Sequence, residues 1–225
     1  MLTVSNTTPY RTMTEMAAQR LLEAIITGEL PPGTRLIPSR LEKEMNLSKV
    51  SIREALREIS GMGLVVSLPN KGAVVSEPPE LEEIIEIFEI RFLLEGKAAE
   101  VATHRIDNKG IEQIQTWHKE MTKQIALPRT YFHLNREFHL RLYKESKMNH
   151  LCQIIEQMMN KVQSFRSRYP FRKTDYRIFN QGHEDIIEAL VQRDAIKVKE
   201  RVIANVRSGL DTLMKVYQNA KAANK

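Results

Sequence analysis

The chain has 225 residues, 34 Lys+Arg against 28 Asp+Glu, a formal net charge of +6, and a single cysteine. That length allows one large domain or two small ones. The lone Cys152 excludes an intramolecular disulfide framework and any Cys-rich zinc module, and it fits a reducing compartment. No apolar run reaches the roughly 18 residues of a membrane span, and Met1–Thr8 hold no apolar core of signal-peptide length, so a cytoplasmic protein is expected.

Positive charge alone names no partner. Residues 1–76 carry nine basic and seven acidic side chains, so the excess is thinly spread and position must decide. In chain order, Thr12 and Glu15 form a capping box that opens a helix. Ala17, Leu21, Ala24 and Ile25 share one face of it, and Gly28 closes it. Leu30-Pro31-Pro32-Gly33 is a turn. Pro38-Ser39 start a very short helix carrying Leu41 and Met45, and Asn46-Leu47 break it. Ser48 then caps a third helix with Ile52, Ala55, Leu56 and Ile59 on one face, ended by Gly61 and Gly63. Leu64–Leu68, the turn Pro69–Gly72 and Ala73–Ser76 read as a β-hairpin. Helix, short helix, tight turn, helix and hairpin make a winged helix-turn-helix.

Two prolines in Ser76-Glu77-Pro78-Pro79-Glu80 mark a boundary, because they remove backbone donors and favour extended geometry. The expected domains are 1–76, a linker at 77–80, and 81–225. Beyond the linker about six helices are predicted: Leu81–Thr103, Asn108–Ile125, Thr130–Ser146, Asn149–Arg168, Thr174–Gln192 and Asp194–Ala220. The fold class is mainly α, an N-terminal winged helix-turn-helix plus an all-helical bundle. The first bundle helix has two apolar stripes, Leu81, Ile84 and Phe88 on one and Ile87, Ile90 and Leu94 on the other. Both need cover, and a dimer partner is the candidate for the second.

Lys49, Arg53 and Arg57 recur at i, i+4 and i+8 on the third helix, roughly 110° from its apolar stripe. One side can seat on a core while a flank offers cations to phosphates or base edges. Ser48 and Ser51 at its N-terminus can donate hydrogen bonds in a groove. A solvated amphipathic helix is the alternative for an isolated segment; the preceding short helix and turn favour a recognition helix.

Pro31-Pro32-Gly33-Thr34-Arg35-Leu36, Ser48-Lys49-Val50-Ser51-Ile52-Arg53-Glu54-Ala55-Leu56, Gly63-Leu64-Val65 and Lys71-Gly72-Ala73-Val74-Val75 resemble the N-terminal domain of GntR-family bacterial regulators. That resemblance implies DNA contacts at Arg35, Arg40, Ser48, Lys49, Ser51, Arg53, Lys71 and Gly72, on a double-stranded operator bound by a homodimer. Residues 80–220 resemble the helical FCD-type effector domain of the FadR-like subfamily, through Glu89–Glu95, Asn135–His139 and His183–Ala189. The resemblance implies an effector site at Arg91, Asn135, His139, His183 and Asn205. In many members an Asp and three His at four of these positions hold a divalent metal. Here Asn135 stands for the Asp and Asn205 for the last His, so a Zn, Ni or Mn ion on His139 and His183, with Asn135 and Asn205, is implied at reduced occupancy.

The residues themselves leave other readings open. Polar groups on apolar stripes need partners, and two core histidines bonded to two asparagines would satisfy them. Arg91 shares a stripe with Ile84 and Phe88 and needs an anion, either Glu95 at i+4 or a small organic acid. His104, His118, His133 and His150 show no ligand spacing and are expected on the surface or in linkers. No Glu-x-x-His pair, G-x-S-x-G, P-loop, dinucleotide fingerprint or H-E-x-x-H occurs, so an enzyme is not expected. The expectation is a ligand-responsive repressor of a metabolic operon. A helical metal- or ligand-binding protein with an N-terminal domain for protein contacts is the alternative.

Overall fold

A computed structural model of the chain describes residues 12–26, 28–61, 63–77, 79–125, 128–166, 169 and 171–223. Met1–Thr8, Pro78 in the expected linker, Arg168 at the expected end of the fourth bundle helix and the side chain of His133 lie outside the described residues. The chain divides into two compact units, 1–78 and 79–225.

The first unit runs α1 (Met13–Ile26), β1 (Arg35–Leu36), α2 (Pro38–Met45), α3 (Lys49–Gly61), β2 (Val65–Leu68) and β3 (Gly72–Val75). The capping box forms: Thr12 N donates to Glu15 Oε2 at 2.8 Å and Glu15 N to Thr12 Oγ1 at 3.1 Å. Two orphan amides at the start of α1 are satisfied in this way. Asn46, in left-handed geometry at φ 52°, ends α2 and makes the tight turn into α3. Ile52, Ala55, Leu56 and Ile59 of α3 are buried against Ala17, Leu21 and the sheet.

The sheet has three antiparallel strands in the order β1-β3-β2, with Arg35 opposite Val74 and Val66 opposite the same residue on the other side. The sequence shows only the hairpin; β1 is two residues long, too short to carry an alternating pattern. Gly72 sits at φ +91°, and a Cβ there would overlap the Leu36 carbonyl and come within 2.7 Å of Pro38 Cδ. The wing therefore depends on a glycine where β1 and the start of α2 press against its base.

The second unit is all helical: α4 (Leu81–Thr103), α5 (Asn108–Lys123), α6 (Pro128–Lys144), α7 (Asn149–Arg166), α8 (Lys173–Val191) and α9 (Ala195–Ala223). α4 lies along α9 and also touches α6 and α7, while α5 bridges α6 and α8. The two-stripe reading of α4 is corrected in part. Ile84, Ile87 and Phe88 are buried in the bundle and Leu94 packs half-buried against it, whereas Ile90 is 42% exposed; Leu93, on neither predicted stripe, is 74% exposed. Among the described residues, no helix is long and apolar enough to cross a membrane.

Gly72→Ala, which imposes both a forbidden backbone region and an overlap, is expected to destabilise the wing by about 2 kcal/mol or more. Hydrogen exchange at the hairpin amides of the whole chain checks this: wild-type protection in the variant would refute it.

Candidate functional site

In the first unit, α3 is anchored by its buried face and leaves Lys49 and Arg53 exposed on its flank. The other cations nearby are tied: Arg57 to Glu54 at 2.8 Å and Arg40 to Glu44 at 2.6 Å, both on exposed faces. No described residue forms an ion pair with Lys49, Arg53, Arg35 or the wing-tip Lys71. Ser48 caps the helix, accepting the Ser51 amide at 3.1 Å, with its hydroxyl 2.9 Å from that of Ser51. Val50, 71% exposed, shares the N-terminal turn of α3 with these groups. A hollow between α3 and the wing is lined by Arg53, Arg57, Ser67, Asn70 and Gly72. The N-terminal turn of α3 and the wing thus make an open surface with free cations.

In the second unit, a cavity of about 100 Å³ opens among α4, α6, α7, α8 and α9. Arg91, Asn135, His139 and Asn205 line it; His183 is not on its wall. His183 lies behind His139, the two Nε2 atoms 3.2 Å apart.

A single polar chain runs through this core. Arg91 Nε donates to Glu95 Oε1 at 2.5 Å, Tyr143 donates its hydroxyl to Glu95 Oε2 at 2.5 Å, and His139 Nδ1 lies 3.1 Å from the Tyr143 oxygen. Glu95 is fully buried and faces a guanidinium, so it is a carboxylate and Tyr143 must spend its only proton on it. His139 Nδ1 is therefore the donor to Tyr143, its Nε2 carries a lone pair, and His183 Nε2–H donates to it. Every tautomer in the chain is assigned by that logic. His183 Nδ1 ends the chain, buried and without a partner.

Burial sets the ionisation of both rings. It lowers His139 from its ordinary value to about 4, with Glu95 opposing and Arg91 reinforcing the shift. It also lowers His183 well below its ordinary value, helped by repulsion from His139 and His118. Tyr143 is raised well above its usual value by burial and by the Glu95 carboxylate. His118 corrects the surface expectation: it is 8% exposed, edge-on to Phe138 and His183 with centroids 6.3 and 6.1 Å away. The signal lay on α5 itself, where His118 shares one face with Ile111, Ile114 and Met121 at i, i+3, i+7 and i+10. His104 and His150 are exposed as expected.

The donor set does not suit a resident dication. Two imidazole nitrogens 3.2 Å apart could share an ion, but both Glu95 oxygens are taken, and only the neutral amides of Asn135 and Asn205 remain nearby. No group of three His, Cys, Asp or Glu among the described residues is placed to hold a metal. Arg91, Arg136 and Arg166 line the same cavity, which disfavours further positive charge.

Other residues of the site carry weak sequence signals. Gly182 lies inside α8, where a Cβ would collide with the Asn205 amide; that amide donates to the Phe179 carbonyl at 3.1 Å, joining α9 to α8. A glycine in mid-helix was the available clue. Tyr143, Arg136 and Arg166 look like ordinary helix residues until the helices are packed.

Residues 13–75 match the family model described as bacterial regulatory proteins, gntR family, and residues 86–208 match that of the FCD domain. The chain belongs to the GntR family. Its helical unit is an FCD domain, in keeping with the FadR-like subfamily. The chain is 24% identical over 194 residues to the Nta operon transcriptional regulator of Aminobacter aminovorans, spanning 84% of this chain and 89% of the relative. It is 25% identical over 217 residues to the HTH-type transcriptional regulator LutR of Bacillus subtilis, spanning 86% and 98%. The solved structure of Escherichia coli McbR/YncC shares the fold with a TM-score of 0.79 at 21% identity, covering 92% of this chain and all of that one. The GntR/FCD protein is thus a transcription regulator. Regulators of this family bind DNA operators, FCD domains bind small-molecule effectors, and the relatives found are regulators rather than enzymes.

Two outcomes follow from the polar chain. Glu95→Ala strands Arg91 in the core and is expected to cost about 3–5 kcal/mol in denaturant unfolding; a loss under about 1 kcal/mol would refute the pairing as a stabilising element. Because the folded pKa of His139 is lowered to about 4, the unfolded state binds more protons between pH 6.5 and 4. Stability is then full above about pH 6.5 and falls as pH drops, by up to about 1.4 kcal/mol per unit for each buried histidine. A flat profile below pH 6.5, or one unchanged by His139→Leu, would refute it.

Proposed function

We propose that the regulator represses a metabolic operon, binding a palindromic operator as a homodimer and releasing it when a small organic acid enters the helical unit. The observation that carries the DNA half is the sorting of charge on α2 and α3. Arg57 and Arg40 are held by neighbouring glutamates, whereas Lys49 and Arg53 stand exposed and unpaired among the described residues. Arg53 is the base-edge reader, Lys49 a phosphate contact, and Ser48 and Ser51 hydrogen-bond donors at the groove. Val50, exposed on the same turn, supplies an apolar contact of the kind a thymine methyl accepts. Lys71 and Gly72 bring the wing to the backbone, Gly72 by letting the wing's base pack against Leu36 and Pro38. Arg35 adds an outer phosphate contact, and Arg40 does so on exchanging Glu44 for phosphate.

The effector half rests on the cavity lined by Arg91, Asn135, His139 and Asn205, with His183 holding His139 from behind. Neutral imidazoles and amides offer hydrogen bonds to a ligand, and the guanidiniums favour an anion. The Nta operon regulator's name ties that relative to one operon, which supports operon control here. Ile90 and Leu93, exposed on α4, support a second copy as cover.

Selection of bound sequences from a random duplex pool tests this reading and yields the operator. On that operator Arg53→Ala should weaken binding by about 1–3 kcal/mol and relax specificity at one position, while Lys49→Ala should reduce the salt slope by about one. Unchanged affinity in both folded variants, or enrichment of no sequence, would overturn the assignment of α3.

A further inference from the structure

Three guanidiniums line the cavity, and their charges are met differently. Arg91 is paired with Glu95. Arg136 bonds Glu137 at 3.1 Å through one terminal nitrogen and Glu156 through the other. Arg166 has no carboxylate partner among the described residues; its Nε donates to the neutral Gln163 side chain at 3.1 Å. The guanidinium lies over the Phe132 ring, 3.0 Å from the centroid, with Phe171 at 5.4 Å. Burial pulls its pKa down to about 9, as expected where a cation has lost water and gained no anion.

A second group points the same way. Arg136 Nε is buried with no acceptor. Arg136 is four residues beyond Phe132 on α6, so the two side chains lie side by side on one face. The ring that Arg166 covers therefore adjoins the free donor of Arg136. A guanidinium without a carboxylate among the described residues and an arginine with an unsatisfied donor thus line one cavity.

Resting on the reading that the helical unit binds an organic acid, we propose that Arg166 anchors the acid, with Arg136 Nε as second donor, and that the ligand is a small monocarboxylate with an apolar body. Arg91 remains with Glu95 and holds the wall in place. Arg166 is the one cavity guanidinium with no carboxylate bound to it among the described residues, and a guanidinium edge takes a carboxylate through two parallel hydrogen bonds. Met159, Val162, Val206 and Leu213 line other parts of the wall and suit a hydrocarbon portion. At about 100 Å³ the cavity is smaller than the roughly 150 Å³ that admits benzene, so the ligand has few heavy atoms.

The test is calorimetry on the full chain with propionate, butyrate, lactate and pyruvate, each beside its neutral amide, together with ligand-free thermal melts. Wild type should bind one or more of the acids and none of the amides. Arg166→Gln should melt close to wild type, because Arg166 is half-buried and has no ion pair to lose among the described residues, yet bind the acid about ten- to a hundredfold more weakly. Arg166→Lys keeps the charge without the fork and should also weaken binding; it decides the matter if Arg166→Gln fails to fold. Acid affinity unchanged in the folded variant overturns Arg166 as anchor and leaves the organic-acid reading standing. If no acid binds wild type, or amides bind equally well, both readings fall together.

Discussion

A buried carboxylate that must be neutralised governs the helical unit. Glu95 is fully enclosed, and an ionised group in that position is tolerable only with full hydrogen bonding and an opposite charge. Arg91 supplies the charge from one turn earlier on α4, and Tyr143 supplies a proton from α6. That demand propagates: Tyr143 must accept from His139, and His139 must accept from His183 on α8. Tautomers, ring orientations and the relative placement of three helices follow from one negative charge. Asn205 and Gly182 then bring α9 against α8 by a contact that needs a missing side chain.

The same bookkeeping of partners separates structural cations from available ones in both units. Surface ion pairs such as Arg57–Glu54 and Arg40–Glu44 contribute little stability, yet they occupy cations. Those left over, Lys49 and Arg53 on α3 and Arg166 in the cavity, have nothing in the described structure to neutralise them. On a surface, an unpaired cation is at ease in water and ready for phosphate. Inside a cavity it is uncomfortable, and an anionic guest relieves it.

Some of this is legible in the chain. The capping box at Thr12 and Glu15, the αL turn at Asn46, the serine cap at Ser48 and the hairpin come from local chemistry, where a few neighbouring residues suffice. Six helices after the double proline are equally local, since 3.6-residue periodicity over 16 to 29 residues leaves little ambiguity. Their ends shift by a few residues because fraying and capping depend on what lies alongside. The inward position of His139, His183 and Asn205 was readable as well, from polar residues on apolar stripes.

What α3 and the bundle helices are was determined by sequence alone, because periodicity and caps act within one turn of the chain. Arg91–Glu95 is an i,i+4 pair readable in the chain, but how Glu95, His139 and Asn205 are satisfied was decided only by tertiary structure, because it turns on partners 26 to 48 residues away. For His118 the inward face was legible on α5, but the rings it meets, Phe138 and His183, come from two other helices. Arg166 shows it most plainly. Nothing along the chain distinguishes it from any arginine ending a helix; only the packed bundle sets it over Phe132 beside the cavity and leaves it without a carboxylate among the described residues.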